Sequence, residues 1–221
     1  GVVDLISEKA IIWEDELGRD PRISEVPVDL KSQVAEMRLR LVEQIAETDE
    51  DLTVKYIEGS PISVEELKVA LRKAVISNRA TPVFCGSSLR NKGVQPLLDA
   101  VVDYLPSPIE VPPVHGVRPS SEDVIEWQPS DTAHLSALVF KIVTDPYVGR
   151  LAYFRVYSGK ISQGAMVYNS TKGKRERIGR LLRMYADHRE DVEEVLAGDI
   201  GATLGLKESF TGDTLCEATQ P

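Results

Sequence analysis

Two short apolar segments open the chain, and a polar turn separates them. Residues 2–6 and 10–13 each have the composition of a strand, and the Ser-Glu-Lys between them fits a turn. Residues 23–28 have a similar character but contain Pro27, which disfavours a longer strand. The pattern therefore predicts a small hairpin, with a further short strand beside it.

A long helix is predicted over residues 29–47, with Asp29 as a suitable N-cap. Apolar side chains recur there at helical spacing and form one stripe: Leu30, Val34, Met37, Leu41 and Ile45. Acidic side chains recur at steps of three, four and seven residues, which return to a single face. That face lies roughly opposite the apolar stripe and carries Glu36, Glu43, Glu47 and, if the helix continues, Glu50.

A second helix is predicted over residues 63–78. Ser63 and Glu66 have the spacing of a capping box, in which each side chain accepts a hydrogen bond from an N–H at the start of the helix. Pro61 lies just upstream and fits the same boundary.

A strand, a loop and a helix follow in that order. Residues 81–85 are predicted to form a short apolar strand, and residues 86–93 a loop. The next helix carries apolar residues on one side and is stopped by prolines: Val94, Leu97, Leu98, Val101, Val102 and Leu105, then Pro106 and Pro108. A single βα unit cannot make a sheet, so we expect its partner strands to lie outside this chain.

The character of the sequence changes in its second half. Residues 109–131 are rich in proline, serine and acidic residues and indicate a domain boundary. From His134 onward, short alternating segments are separated by turns such as Ser158-Gly159 and Gln163-Gly164. Short strands at this spacing predict a closed or nearly closed β-barrel.

Composition and charge narrow the possible functions. The formal net charge is -9, so bulk charge does not favour nucleic-acid binding and any such contact needs a local basic patch. Cys85 and Cys216 are far apart and show no metal-ligand spacing, which favours two buried, reduced thiols. No apolar run reaches the ~20 residues of a membrane span, and no signal peptide is evident. The first residues suggest a cut inside a longer protein.

Catalytic motifs are sparse. The sequence contains no phosphate-binding G-x-x-x-x-G-K-[ST], no H-E-x-x-H and no G-x-S-x-G. His115, His134 and His188 are scattered, and surface or strand positions are favoured for them over catalytic ones. The segment Asn91-Lys92-Gly93-Val94 imitates the guanine-reading N-K-x-D, but Val94 cannot accept hydrogen bonds from the base.

The loop at Gly86-Ser87-Ser88-Leu89 is a more promising candidate. After a buried strand its backbone would be held firmly, and an N–H there could donate to a purine carbonyl. Gly-Ser turns after strands are common, so an ordinary structural turn is the main alternative.

Several segments together resemble bacterial elongation factor G, the translocase GTPase. They occur in the family's order and cover nearly the whole chain: GVVDLI, GSSLRNKGVQPLLDAVVDYLPSP, TDPYVGRLAYFRVYSG, RERIGRLLRMYADHREDVEEVLAGDIGATLGLK and TGDTLC. The resemblance implies an internal fragment of a multi-domain α+β protein. Its parts would be an α/β insert called the G′ subdomain (1–80), the terminal βα edge of the GTPase domain (81–108), and the antiparallel translation-factor β-barrel called domain II (109–221, with its linker at about 109–132).

The resemblance also implies a nucleotide site that is incomplete here. Gly86, Ser87, Ser88 and Leu89 match the guanine-contacting loop, with Ser88 at a position where the family usually has alanine. The parent would bind GTP or GDP with Mg²⁺ and hydrolyse GTP, whereas this fragment is expected to bind no nucleotide and to be inactive alone. The P-loop, the switches and the true N-K-x-D would lie upstream.

Two partner surfaces follow from the same resemblance. Acidic residues match the face turned to the ribosomal stalk protein L7/L12: Glu43, Glu47 and Glu50. Basic residues lie where domain II faces small-subunit RNA, with Arg180 and Arg183 beyond them: Lys172, Lys174, Arg175 and Arg177. A solvated helix face and a solubilising barrel edge are the respective alternatives. A cytoplasmic location is expected, with no membrane or DNA partner.

A further hairpin loop is predicted, and two other interpretations of the chain remain open. The loop at residues 145–150 is shaped by Pro146 and Gly149, and the family places it near the GTPase core. One rival is a release- or recycling-type translational GTPase with the same layout. The other is a stand-alone, non-enzymatic adaptor that binds the stalk or RNA.

Overall fold

A computed structural model describes residues 1–119, 121, 123–145, 149–186 and 188–221 of the chain. These residues form two compact units, Gly1–Ser107 and Pro108–Pro221. Among the described residues, no helix has both the length and the apolar character needed to cross a membrane.

The first unit combines a small sheet with helices. Its antiparallel sheet has the order β1-β2-β3 and consists of β1 (Val2–Asp4), β2 (Lys9–Trp13) and β3 (Pro21–Glu25). Ile11 of β2 pairs with Val2 on one side and Ile23 on the other, which confirms the predicted hairpin and places a third strand beside it. The helices are α1 (Lys31–Ala46), α2 (Glu50–Ile57), α3 (Val64–Ile76) and α4 (Val94–Tyr104).

Helix α1 packs through a slightly different face from the one predicted. Val34 and Ile45 are buried as expected, but Met37 is 47% exposed. Arg38 lies on the packed side instead, where its Nη1 donates to the carbonyls of Leu5 and Ile6 at 2.5 Å each. The guanidinium supplies hydrogen bonds to two carbonyls just after β1, and an apolar side chain at this position could not do so.

The long helix predicted over residues 29–47 also begins and ends differently. A 3-10 turn at Val28–Leu30 precedes α1, and Asp29 does not cap it. The chain then turns, and Asp49 caps a separate helix, α2, by accepting from the N–H of Leu52 at 3.3 Å. Glu50 is therefore the first residue of α2 and not a continuation of the acidic face of α1.

The predicted capping box of α3 is confirmed. The Ser63 hydroxyl accepts from the Glu66 N–H at 3.2 Å, and the Glu66 carboxylate accepts from the Ser63 N–H at 2.9 Å. A hydrogen bond from Lys55 and the bond from the Ser63 N–H together lower the pKa of Glu66 to about 2. The stabilisation that this carboxylate provides is therefore present above its ordinary pKa and is lost as the pH falls toward 2.

The strand predicted at residues 81–85 does not form. These residues have no regular structure, and Cys85 is exposed, not buried. A strand exists only through hydrogen bonds to a neighbour, and the described residues supply none at this position. The following α4 packs on α3 through Ala100 and Tyr104, while much of its predicted apolar side remains exposed, including Leu97, Leu98, Val101, Val102 and Leu105.

The second unit is built from β-strands. A hairpin of β4 (Val114–Val117) and β5 (Val124–Trp127) precedes the main sheet. The remaining strands are β6 (Ser136–Asp145), β7 (Gly149–Ser158), β8 (Ile161–Ser162), β9 (Met166–Asn169), β10 (Lys174–Arg177), β11 (Leu181–Tyr185), β12 (His188–Val192), β13 (Glu194–Val195), β14 (Ile200–Leu204) and β15 (Thr214–Cys216).

The order of the main sheet requires it to curl. Its eight strands run β10-β9-β15-β6-β7-β14-β11-β12, yet only residues 178–180 separate β10 from β11. In a flat sheet those two strands would be roughly 29 Å apart, and this connection spans at most about 14 Å. The sheet therefore rolls until β10 approaches β11, which confirms the predicted β-barrel.

A glycine permits the closure. The Gly179 N–H donates to the Leu204 carbonyl of β14 at 3.0 Å. A Cβ at Gly179 would lie 2.2 Å from that carbonyl oxygen, so no other residue fits without moving the backbone. The barrel encloses a core of fully buried apolar residues that includes Val139, Phe154, Val156, Ile161, Ile178, Leu181 and Leu215.

Candidate functional site

The loop after residue 85 closes on itself through its backbone. The Ser87 N–H donates to the Lys92 carbonyl at 2.7 Å, and the Lys92 N–H donates to the Ser87 carbonyl at 3.0 Å. A 3-10 turn at Ser88–Arg90 forms the tip, and Asn91 follows in the left-handed region with φ 50°. These bonds give the loop a defined shape although no strand precedes it.

Two glycines allow the base of this loop to close. A Cβ on Gly86 would lie 2.7 Å from the Lys92 carbonyl oxygen, and one on Gly93 would lie 2.8 Å from the Cα of Gly86. Gly93 also has φ +82°, which disfavours any side chain. The glycines of the predicted guanine-contacting loop are therefore required by the crossing of two backbone segments.

The tip of the loop faces solvent. Gly86, Ser87, Ser88 and Leu89 are all exposed, and Leu89 is 95% exposed. The first N–H groups of a helical turn have no carbonyl partner within the turn. The Ser88 and Leu89 N–H groups are therefore placed to donate to an acceptor such as a base carbonyl.

The predicted acidic residues lie on the surface of α1 and α2. Glu43 and Glu47 are exposed on the side of α1 opposite Val34 and Ile45, and Glu50 is exposed at the start of α2. Within the described part of the chain, none of these carboxylates forms an ion pair. Glu36, by contrast, pairs with Arg40 at 2.6 Å.

The basic strand β10 presents alternate residues on opposite sides. Arg175 and Arg177 are exposed, while Glu176 between them is buried. Lys174 is exposed and pairs with Glu208 at 2.8 Å, and Lys172 holds its ammonium 5.5 Å from the centre of the Phe210 ring. The positive charge of this surface therefore rests mainly on Lys172, Arg175 and Arg177.

The two arginines beyond β10 are already paired. Arg180 makes a double contact with Asp191, at 3.0 and 2.7 Å, and Arg183 lies 3.7 Å from Asp199. The Asp191 hydrogen bond raises the pKa of Arg180 and lowers that of Asp191. These two guanidiniums are consequently less available to an anionic partner than Arg175 and Arg177 are.

Sequence reasoning missed a cluster around Arg150 and Phe210. The Arg150 guanidinium donates to the Lys207 carbonyl at 2.6 Å and to the Ser209 carbonyl, and it lies 4.5 Å from the centre of the Phe210 ring. An exposed aromatic residue in a polar segment is its only sequence signal. The predicted hairpin tip just before Arg150 falls at residues 146–148, which lie outside the described residues.

The histidines and cysteines do not assemble into a reactive site among the described residues. His134 Nδ1 lies 2.9 Å from Glu217, and His115 Nδ1 lies 3.7 Å from Glu126, both at the surface. Cys216 is buried as predicted, and its burial raises the pKa of the thiol. No group of three or more His, Cys, Asp or Glu side chains that could hold a metal ion occurs in the described ranges.

Comparisons with known proteins match part of this chain to a translation-factor domain and the whole chain to part of a solved structure. The family model described as elongation factor G domain 2 matches residues 134–218. The chain is also similar in structure to a solved protein from Thermus thermophilus, with a TM-score of 0.74 and 30% sequence identity. That match covers 100% of this chain and 30% of the solved one, so this chain spans about a third of the length of the protein it matches.

Proposed function

The family model described as elongation factor G domain 2 matches residues 134–218, and from this premise we propose that the chain is an internal piece of a translational GTPase. The parent protein binds and hydrolyses GTP and promotes movement of tRNA and mRNA through the ribosome in the cytoplasm. This piece supplies the stalk-facing insert, one guanine-contacting loop and the barrel that faces small-subunit RNA.

The exposed apolar side of α4 is the observation that best supports a larger GTPase domain. Leu98 and Val102 are 60% and 77% exposed, and Val83, just before the loop, is 91% exposed. A soluble domain rarely leaves a contiguous apolar face of this kind in water. We propose that the rest of the GTPase-domain sheet packs against it and also gives residues 81–85 the neighbour they need to become a strand.

The nucleotide site would then be shared between this chain and the rest of the parent. Gly86 to Leu89 offers backbone N–H donors, which suit a guanine carbonyl. Phosphate and Mg²⁺ contacts carry most of the affinity in this class of enzyme, and they would come from the P-loop and switches elsewhere in the parent. The loop thus orients the base and takes no part in cleaving the phosphate.

A comparison of nucleotide binding by the chain and by its parent tests the proposed function. The isolated chain is expected to give no calorimetric signal with GDP, whereas the full-length protein should bind GDP and hydrolyse GTP faster when ribosomes are present. Micromolar binding of GDP by the isolated chain, or a full-length protein without guanine-nucleotide affinity, would contradict the proposal.

Substitution of Arg175 and Arg177 tests the proposed RNA contact. Converting both to glutamine in the full-length protein should weaken ribosome binding and make the slope of log affinity against log salt shallower by about 1.5, because two fewer counterions are released. Arg22→Gln with Arg40→Gln removes the same charge from the first unit and serves as the control. An unchanged slope for the β10 variant would count against RNA contact at this strand.

A further inference from the structure

The segment Asn91-Lys92-Gly93, which only imitates a guanine motif, makes specific contacts with a turn of the insert. That turn lies at residues 15–19, between β2 and β3. Asn91 Nδ2 donates to the Leu17 carbonyl at 2.8 Å. Asn91, two residues beyond Leu89 of the guanine-contacting loop, is therefore bound to the insert through its side chain.

Gln95, in the first turn of α4, makes a second connection to the same turn. Its Nε2 donates to the Gly18 carbonyl at 2.8 Å and to the Arg19 carbonyl at 3.3 Å. Its Oε1 accepts from the indole N–H of Trp13 at 3.2 Å. Because Trp13 is buried at the end of β2, the contact extends from the loop to the core of the insert.

The two segments also touch directly through their backbones. Gly18 is buried and has φ +62°, and a Cβ there would lie 2.0 Å from the Asn91 carbonyl oxygen. Asp15 holds the turn in shape by accepting from the Arg19 N–H at 2.8 Å. That bond is the main reason that the pKa of Asp15 is lowered, and the charge of Lys92 acts in the same direction.

We infer that Asn91 and Gln95 are positioning residues: they hold the guanine-contacting loop against the insert, and so the insert controls how long a guanine nucleotide stays bound. This inference rests on the proposed function, because it takes Ser88 and Leu89 as the base contact. The closed bonds between Ser87 and Lys92 fix the internal shape of the loop. Asn91 and Gln95 fix its place relative to the insert.

The experiment uses the full-length protein with Asn91→Gly and Gln95→Leu combined. Glycine readily adopts the left-handed backbone of Asn91 and lacks the amide that donates to Leu17, while its added backbone freedom is matched by the control. We expect fluorescently labelled GDP to dissociate about threefold to tenfold faster, the effect of losing one neutral hydrogen bond or slightly more. Asn78→Gly is the matched control, since Asn78 is also exposed and left-handed, at φ 57°, but lies at the end of α3.

A second nucleotide distinguishes a misplaced guanine-contacting loop from general damage to the nucleotide site. The diphosphate of 2-aminopurine riboside lacks the base carbonyl that the loop would contact, so its dissociation should be the same in the variant and the wild type. Equal acceleration for both nucleotides, or no acceleration for GDP, would overturn the inference while leaving the proposed function standing. A wild-type protein that binds no GDP would reject the proposed function itself.

Discussion

Replacing Glu176 with alanine is expected to lower the free energy of unfolding of the barrel by about 3 kcal/mol, since several buried donors would lose their acceptor. Glu176 is on the inward side of β10 and is 7% exposed. Its carboxyl group accepts from the N–H groups of Lys207 and Glu208 at 2.7 and 2.9 Å, and from the Ser209 hydroxyl. One side chain therefore holds residues 207–209 of the loop between β14 and β15.

The loss of stability should extend beyond these three hydrogen bonds, because the Glu176 carboxyl group belongs to a connected hydrogen-bond network. Asn169 donates to the Ser209 hydroxyl at 3.0 Å and to the Asp213 carboxylate at 2.9 Å. Asp213 in turn accepts from the Phe210 N–H at 2.9 Å. Buried networks are costly when only partly satisfied, and about 3 kcal/mol is a large share of the 5–15 kcal/mol that holds a typical domain together.

The measurement is urea unfolding followed by tryptophan fluorescence. The chain has 2 tryptophans, and a Trp13→Phe background leaves Trp127 as the sole reporter, within the second unit. Glu208→Ala is the matched control, because its exposed pair with Lys174 should contribute only about 0–1 kcal/mol. Equal losses for the two variants would show that the buried carboxyl group does not organise this loop.

The barrel could be predicted from the sequence because its signal is local and repeated. Alternating strands and Gly-containing turns recur along the second half of the chain, although the short connection at 178–180 was not predicted. The capping box of α3 was equally predictable, since Ser63 and Glu66 satisfy each other within one turn of helix. In both cases the residues that determine the structure are close together in sequence.

The errors arose where the deciding partner is remote. Arg38 occupies a packed position on α1 because the carbonyls at the end of β1 need a donor, and helical periodicity carries no information about them. Residues 81–85 have strand composition but no strand to pair with in the described chain. The break before α2 did have a local signal, because Asp49 followed by acidic residues is typical of a helix start, and the apolar periodicity obscured it.

The candidate sites show the same contrast between features that local sequence predicts and contacts between distant segments. Exposure of Glu43 and Glu47 follows from their spacing on α1, and the glycines of the predicted guanine-contacting loop follow from its tight geometry. The ties from Asn91 and Gln95 to the turn at 15–19 could not be predicted, because they join segments more than 70 residues apart along the chain. Such contacts become visible only after the chain has folded.

Reversing Glu43 and Glu47 to lysine is expected to reduce stalk-dependent stimulation of GTP hydrolysis by about tenfold in the full-length protein at low salt. Both carboxylates are exposed and lack an ion pair within the described chain, so neither should be needed for folding. Leu39 lies beside them on α1 and is 59% exposed. The surface therefore offers an apolar contact flanked by negative charge, which suits a basic partner with an apolar centre.

The salt dependence and a matched variant show whether the defect comes from the surface around Glu43 and Glu47 or from the change in total charge. The defect should shrink as ionic strength rises, because exposed charges are screened over about 10 Å at 0.1 M salt. Glu58→Lys with Glu65→Lys makes the same change in net charge just after α2 and in the first turn of α3, and should leave stimulation within about twofold of the wild type. If that control is impaired to the same extent, total charge governs the encounter and the proposed stalk-facing surface is wrong. If only the Glu43 and Glu47 variant is impaired, and Leu39→Ala weakens stimulation at every salt concentration, an apolar contact beside the acidic residues accounts for the part of the interaction that salt does not screen.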